Sequence, residues 1–338
     1  MKQRSKVRTW LHRILALALL WQSSGVPQAL AAPAARSWFR PPHEPTRQRC
    51  DWCPAFSFLL PGMDQWMESQ TTAAAVYSGV GFGGMIYAGR EGNRMIDNRK
   101  HEEGQVLSEA EKYNRGVHGE PERKVGFGSQ LYMSMGSFSV YHGFRTAVAT
   151  RQPYGQYRFL TREETPAELA LAPFEFDYLR RRSTWIPLLV MAGLTGLVAS
   201  VDFSDDDDFM RNQLDRSDYF FTGATSYMAG THEEALFRGF MMPVLRESWG
   251  SDVWSNLATS GVFAAAHLGS VEVPIVQFSL GWYLGWLTQE NEWTLGESIF
   301  IHAWWDVFAL LTQYQIARRE DPAVVAPVVW LPALRLAF

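Results

Sequence analysis

The chain has 338 residues, enough for one large domain or two small ones, and its formal net charge at pH 7 is −4. This charge argues against a nucleic-acid partner, because proteins that bind nucleic acids carry a basic surface. Hydrophobic residues make up 47% of the chain, yet the mean hydropathy is only −0.16. The average is that of a soluble protein, so a membrane prediction has to rest on separate apolar blocks.

The first 31 residues have the layout of an export signal. Basic residues are concentrated at the start, residues 14–21 are apolar, and residues 29–31 (Ala-Leu-Ala) form a small-x-small cleavage site. The apolar stretch is shorter than a bilayer-spanning helix needs. We therefore predict a signal peptide over residues 1–31 that is cleaved before Ala32. An uncleaved membrane anchor is the alternative.

Residues 32–184 form an N-terminal region that contains both cysteines of the chain. Cys50 and Cys53 make a C-x-x-C pair without the second pair that a structural zinc site requires. In an exported segment, a local disulfide is the expected state of this pair. A thioredoxin-like role is the alternative, although no strand–helix pattern surrounds the pair.

The same region alternates between apolar and polar stretches. Residues 72–88 are apolar and rich in glycine, which suits close helix packing in a bilayer. Residues 89–130 are polar and rich in Arg and Lys, as expected for a solvated loop. Residues 131–148 are apolar but contain polar side chains, so they form either a marginal span or, as we favour, an amphipathic helix on the membrane surface. We expect one or two membrane segments and a basic polar loop here.

Apolar blocks then follow one another between residues 185 and 316, and short polar turns separate them. They lack the alternating pattern of β-strands. The predicted fold is therefore all-α: a polytopic membrane protein with a bundle of about six to eight transmembrane helices. Residues 317–338 are predicted to form a C-terminal tail or a short helix.

A pair of adjacent carboxylates lies within one of these apolar blocks, in the sequence T-H-E-E-A-L-F-R-G at residues 231–239. An ionised carboxylate is costly in apolar surroundings unless it has a partner. If the segment is helical, Glu234 shares a face with Arg238, four residues later. Glu233 has no such local partner and is the candidate for chemistry.

Two later motifs each place a histidine one helical turn from another distinctive side chain. The first is F-A-A-A-H, with Phe263 and His267, and the second is H-A-W-W-D, with His302 and Asp306. A single histidine in an apolar block is more often a packing residue than a catalyst. It is the three motifs together, in this order, that indicate a functional site.

The three motifs resemble those of the CPBP family of intramembrane proteases, which includes the type II CAAX prenyl endopeptidases and the bacteriocin-processing (Abi) proteins. The resemblance extends over about residues 185–315, and E-E-x-x-x-R followed by glycine is its most specific part. It implies an intramembrane endopeptidase domain over residues 185–316. It also implies a lipid bilayer as surroundings, a protein or peptide substrate in the membrane, and a multi-pass location, here the bacterial inner membrane.

The resemblance further implies the roles of the site residues. Glu233 and His267 are expected to activate the hydrolytic water, and His302 and Asp306 to stabilise the oxyanion. Three residues support the site: Glu234, Arg238 and Phe263. Position 306 commonly carries asparagine in the family, and an ionised aspartate would repel an oxyanion. Asp306 is therefore either protonated or orients His302 instead.

No cofactor is expected, because a glutamate can activate water without a metal and the chain has no H-E-x-x-H pair. A zinc ion bound by Glu233, His267 and His302 is the alternative. The alternative function is a catalytically silent membrane scaffold or a bacteriocin-immunity-type protein. The presence of a suitable side chain at every catalytic position argues against that alternative.

Overall fold

The computed structural model describes residues 50–101, 120–202, 216–268 and 274–317. Every regular element within these ranges is helical, which confirms the all-α class. In this part of the chain, no helix combines the length and the apolar character that crossing a membrane requires. The predicted signal peptide and the tail from residue 318 onward lie outside the described residues.

The described ranges contain eleven α-helices, numbered here in chain order. They are α1 (Phe56–Leu59), α2 (Met63–Met67), α3 (Thr71–His101), α4 (Glu120–Arg151), α5 (Pro166–Leu171), α6 (Arg182–Asp202), α7 (Arg216–Leu236), α8 (Met242–Trp249), α9 (Asp252–Ala265), α10 (Ile275–Glu290) and α11 (Gly296–Ala317). A π-helical segment, Phe237–Met241, connects α7 to α8 without a break.

Helices α3 and α4 pack against each other through glycines. A Cβ atom at Gly84 would lie 2.7 Å from the carbonyl oxygen of Gly128, and a Cβ at Gly128 would lie 2.6 Å from that of Gly84. Both distances are too short for any side chain, so the two backbones touch directly at this crossing. Glycine within a helix is destabilising, and the close packing that it permits here offsets that cost.

Helix α4 is buried along residues 136–148, so the interpretation of this stretch as an amphipathic helix on a membrane surface is wrong. Several of its polar side chains are accommodated because they have hydrogen-bond partners inside the fold. The Tyr141 hydroxyl donates to the carbonyl oxygen of Glu164 at 2.9 Å, and Arg145 donates to the carbonyl oxygen of Arg162. Buried polar groups with partners cost little, whereas the same groups unpaired would be strongly destabilising.

Helix α7 packs against both α4 and α11. Its contact with α11 is again made through a small residue. A Cβ atom at Gly230 would lie 2.6 Å from the backbone nitrogen of Ala303. The close approach occurs about one turn before Glu233 on α7 and directly beside His302 on α11. It therefore brings the first and third motifs together.

The segment before α1 reaches the π-helical segment. Cys50 and Cys53 are joined as a disulfide, with their Cα atoms 5.3 Å apart. Trp52, between them, packs edge-on against the buried Phe240, with ring centroids 5.5 Å apart. The N-terminal cysteine loop is thus in contact with the helix that carries the first motif.

Candidate active site

The candidate site is a cluster of five side chains: Glu233, Glu234, Arg238, His302 and Asp306. Glu234 lies at its centre and is fully buried. Its Oε1 atom accepts a hydrogen bond from Arg238 Nη1 at 2.8 Å, the pair that the helical spacing predicts. The same oxygen lies 2.7 Å from His302 Nδ1 on α11. Because a carboxylate ionised beside an arginine can only accept, the His302 Nδ1–H donates to it. Glu234 thus links the first motif to the third and fixes the tautomer and orientation of the His302 ring.

The other nitrogen of His302, Nε2, faces two further carboxylates. Glu233 Oε2 and Asp306 Oδ2 each lie 3.7 Å from it, too far for a direct hydrogen bond but close enough for electrostatic interaction. The side chains of Glu233 and Asp306 are both 18% exposed, whereas that of Glu234 is 0% exposed. Glu233 is therefore the accessible member of the glutamate pair.

The aromatic ring of Phe263, on α9, holds several members of the cluster. The Arg238 guanidinium carbon lies 4.4 Å from the centre of this ring, a cation–π contact. The His302 ring centre is 5.8 Å from the centre of the Phe263 ring, and the His267 ring centre is 4.7 Å from it. Phe263 is therefore in contact with both of the histidines that the sequence assigned to the site.

His267 lies in the turn after α9, because that helix ends at Ala265. It is half-buried, and its Nδ1 lies 2.8 Å from the carbonyl oxygen of Phe263. The described contacts of His267 with the cluster run through the Phe263 ring. The fold thus brings five predicted residues into direct contact: Glu233, Glu234, Arg238, His302 and Asp306. His267 lies at the edge of this cluster, next to Phe263.

Two residues of the site were missed by the sequence analysis. His232 precedes the glutamate pair, is 3% exposed, and donates from Nδ1 to the Met228 carbonyl oxygen at 2.7 Å. Its position next to Glu233 was the available signal. Gly281 on α10 is the second: a Cβ there would lie 2.9 Å from Arg238 Nη2. A glycine in an apolar helix gives no sequence signal that identifies its neighbour, so Gly281 could not have been found.

The alternative zinc ligands were Glu233, His267 and His302. Within the described ranges, no group of three or more His, Cys, Asp or Glu side chains is placed to hold a metal ion. Hydrolysis without a metal stays a prediction, and a chelation experiment described below tests it.

Comparison with known proteins identifies one family. Residues 216–308 match the family described as type II CAAX prenyl endopeptidase Rce1-like. The matched segment begins with α7 and ends within α11, so it includes all three motifs. No curated protein and no solved structure gives a significant match. Residues 216–308 therefore form a CPBP-family domain of the Rce1-like type, which confirms the family predicted from the motifs.

Proposed function

We propose that the chain is an endopeptidase that hydrolyses peptide bonds of membrane-associated proteins or peptides, as the CAAX prenyl endopeptidases of its family do. One observation carries the proposal. Glu233, the accessible carboxylate, lies 3.7 Å from His302 Nε2, while buried Glu234 fixes the opposite nitrogen of the same ring. An accessible base beside a positioned imidazole suits the activation and attack of water.

In the proposed reaction, Glu233 takes a proton from a water molecule, whose oxygen attacks the carbonyl carbon of the peptide bond. The negative charge then developing on the carbonyl oxygen is stabilised by a proton donor, and His302 Nε2 supplies it when protonated. The proton held by Glu233 passes to the leaving nitrogen as the carbon–nitrogen bond breaks. His267 is proposed to contact the same water from the edge of the cluster. Glu234 and Arg238 act by holding His302 and the helix in place.

The experiment that tests this function compares the wild-type chain with its Glu233→Gln variant. The probe is a quenched fluorescent peptide that ends in a farnesylated C-a-a-X sequence, the substrate class that the family description names. A comparison of membrane proteomes from cells that contain either protein extends the search to other substrates. The size of the expected effect is argued in the Discussion.

Asp306→Asn is expected to retain or increase peptidase activity. The Asp306 carboxylate lies 3.7 Å from His302 Nε2, and a neutral amide in its place cannot repel an oxyanion formed beside that nitrogen. Asp306→Ala, which removes the charge but supplies no hydrogen-bond donor, should be less active than Asp306→Asn. Initial cleavage rates of the three proteins are the measurement. Loss of activity in Asp306→Asn at an unchanged unfolding temperature would instead show that the carboxylate itself is required to orient His302.

We also propose that the domain lies in a lipid bilayer. The support comes from the distribution of side chains. Large apolar residues are exposed along α3, α6, α9 and α10, and large exposed apolar patches are typical of surfaces that contact a membrane or another protein. Examples are Ile86, Leu189, Trp254 and Ile275. The interior contains glycine contacts and hydrogen-bonded polar groups, the features by which helices associate in membranes.

Washing membranes with alkaline carbonate is the direct test of this location. A bilayer-embedded chain is expected to stay in the pellet, because its exposed apolar surface is in contact with lipid and not with a protein that alkali detaches. The distribution of the chain between pellet and supernatant is measured by immunoblotting, with a peripheral protein as the control. Release into the supernatant would contradict the proposed location while leaving the peptidase proposal to its own test.

A further inference from the structure

The segment between α4 and α5 contains a buried carboxylate, that of Glu164, which contacts the start of α11. Glu164 lies outside residues 216–308, which match the family. Glu164 is 6% exposed, and both oxygens of its carboxylate accept the backbone N–H of Leu295, at 3.1 and 2.9 Å. Leu295 immediately precedes α11, the helix that carries His302. A carboxylate at this end of a helix is stabilised by the positive end of the helix dipole. Glu164 therefore fixes where α11 begins.

Glu164 also holds α4, through its backbone. Its carbonyl oxygen accepts a hydrogen bond from the hydroxyl of Tyr141 at 2.9 Å, and Tyr141 is 1% exposed. One residue is thus bonded both to the start of α11 and to the middle of α4. The two contacts use different atoms, so the side chain can be changed while the backbone contact remains.

The two residues that Glu164 holds enclose a glycine of the first motif. A Cβ atom at Gly239 would lie 2.7 Å from Tyr141 Cδ2 and 2.8 Å from Leu295 Cδ1. Gly239 directly follows Arg238, so the position of the arginine depends on how Tyr141 and Leu295 are spaced. Glu164 is thus hydrogen-bonded to Tyr141 and to Leu295, and both of these residues pack against Gly239.

This set of contacts determines the geometry of the cluster. Arg238 pairs with Glu234, and Glu234 bonds to His302, which lies seven residues, about two helical turns, after Leu295. A shift of α11 along its axis would change the Glu234–His302 distance and leave the Glu234–Arg238 pair intact. We infer that Glu164 is a positioning residue that holds α11 in register with the first motif, so that His302 meets Glu234. The inference rests on the proposed peptidase function.

The contacts indicate that the length of the side chain matters more than its charge. The group that Glu164 binds is a neutral backbone amide, and a glutamine oxygen can accept the same hydrogen bond. Burial raises the pKa of Glu164, while the hydrogen bond from Leu295 and the nearby guanidinium of Arg145 lower it. Burial is the largest of these effects and the pKa is raised overall, so burial offsets what the charge gains from the start of α11. Glutamine should substitute for Glu164, and aspartate, which is charged but shorter, should not.

Three variants of Glu164 and one control test the inference. Glu164→Ala and Glu164→Asp are expected to lower kcat by up to about 10²-fold with little change in KM, because a small misplacement of a catalytic group has an effect of this size. Glu164→Gln should recover most of the loss. Glu163→Ala removes an exposed neighbouring carboxylate and should behave as the wild type. Cleavage of the quenched farnesylated peptide supplies both constants.

Hydrogen exchange provides a second measurement that does not depend on activity. Backbone amides of residues 295–302 should exchange faster in Glu164→Ala and Glu164→Asp than in the wild type and in Glu164→Gln. Unchanged kcat in Glu164→Ala and Glu164→Asp overturns the inference, as does a rise in KM alone. If Glu164→Ala fails to fold, the inference is tested by comparing kcat and hydrogen exchange between Glu164→Asp and Glu164→Gln. Equal values in these two variants would overturn it.

The two proposals fail in different ways. Absence of cleavage by the wild type and by Glu163→Ala refutes the proposed peptidase function on this substrate class. In that case the exchange measurement still decides on the positioning role, because unchanged exchange at residues 295–302 in Glu164→Ala overturns it. Activity in the wild type together with full activity in Glu164→Ala refutes only the positioning role.

Discussion

Glu233→Gln is expected to lower peptidase activity by about 10²–10⁴-fold, the contribution that general-base catalysis typically makes. The amide keeps the shape of the side chain but cannot take a proton from water. Stability should change little, because the one described ion pair of Glu233 is the 3.7 Å contact with His302, and its side chain is 18% exposed. Cleavage rates and unfolding temperatures of the two proteins are the measurements, with Glu163→Gln as an exposed control.

The same assay distinguishes water activation by glutamate from water activation by zinc, and a peptidase from a membrane scaffold. Wild-type activity is expected to persist in the presence of strong chelators, since Glu233 is proposed to activate water without a metal. Activity that disappears with a chelator and returns with zinc would make Glu233, His267 and His302 metal ligands. Full activity in Glu233→Gln would refute Glu233 as the general base. Absence of cleavage by the wild type would instead argue against the enzymatic proposal and favour a membrane scaffold.

Arg238→Ala is expected to destabilise the fold by about 3–5 kcal/mol, because it leaves Glu234 as a buried charge without its cationic partner. Both members of the pair are fully buried, at 2.8 Å, and the guanidinium also lies over the Phe263 ring. Denaturant unfolding measures the loss. Activity should fall with stability, because the Glu234 that orients His302 loses its position.

Arg246→Ala is the matched control for this variant. Arg246 also forms an ion pair, with Asp252 at 2.9 Å, and its guanidinium also lies over an aromatic ring, that of Phe159. Its pair is partly solvent-exposed, with 32% of the Arg246 side chain and 53% of the Asp252 side chain accessible, so its loss should cost only about 0–1 kcal/mol. Equal, small losses in the two variants would mean that Glu234 and Arg238 do not form a buried pair.

The sequence predicted the contacts that a single helix determines. Glu234 and Arg238 pair because residues four apart share a helical face. The contact between Glu234 and His302 spans 68 residues and depends on the close approach of Gly230 to Ala303, which no local pattern specifies. His267 shows the opposite case. Its spacing from Phe263 was interpreted as helical, but α9 ends before it, so the histidine lies in the following turn.

The N-terminal half of the chain was the least predictable. Polar residues in an apolar stretch suggested a surface helix for residues 131–148, because no partner was visible in the sequence. The partners lie in a distant irregular segment: Tyr141 and Arg145 donate to the backbone of residues 164 and 162. Backbone carbonyls are present in every sequence and therefore cannot be recognised as partners. The all-α class was accessible because it depends only on the pattern of apolar blocks.

The π-helical segment Phe237–Met241 imposes a constraint on chain length as well as on residue type. A π-turn accommodates one residue more than an α-turn, and each residue of an α-helix advances the direction of its side chain by about 100°. Deleting one residue from this segment would restore the regular helix and rotate everything after it by that angle. The buried Met242 and Val244 would then leave the interior, and α8 would no longer present the face that packs on α9. A substitution in this segment changes one side chain, whereas the deletion of a single residue would displace every side chain that follows it in the helix.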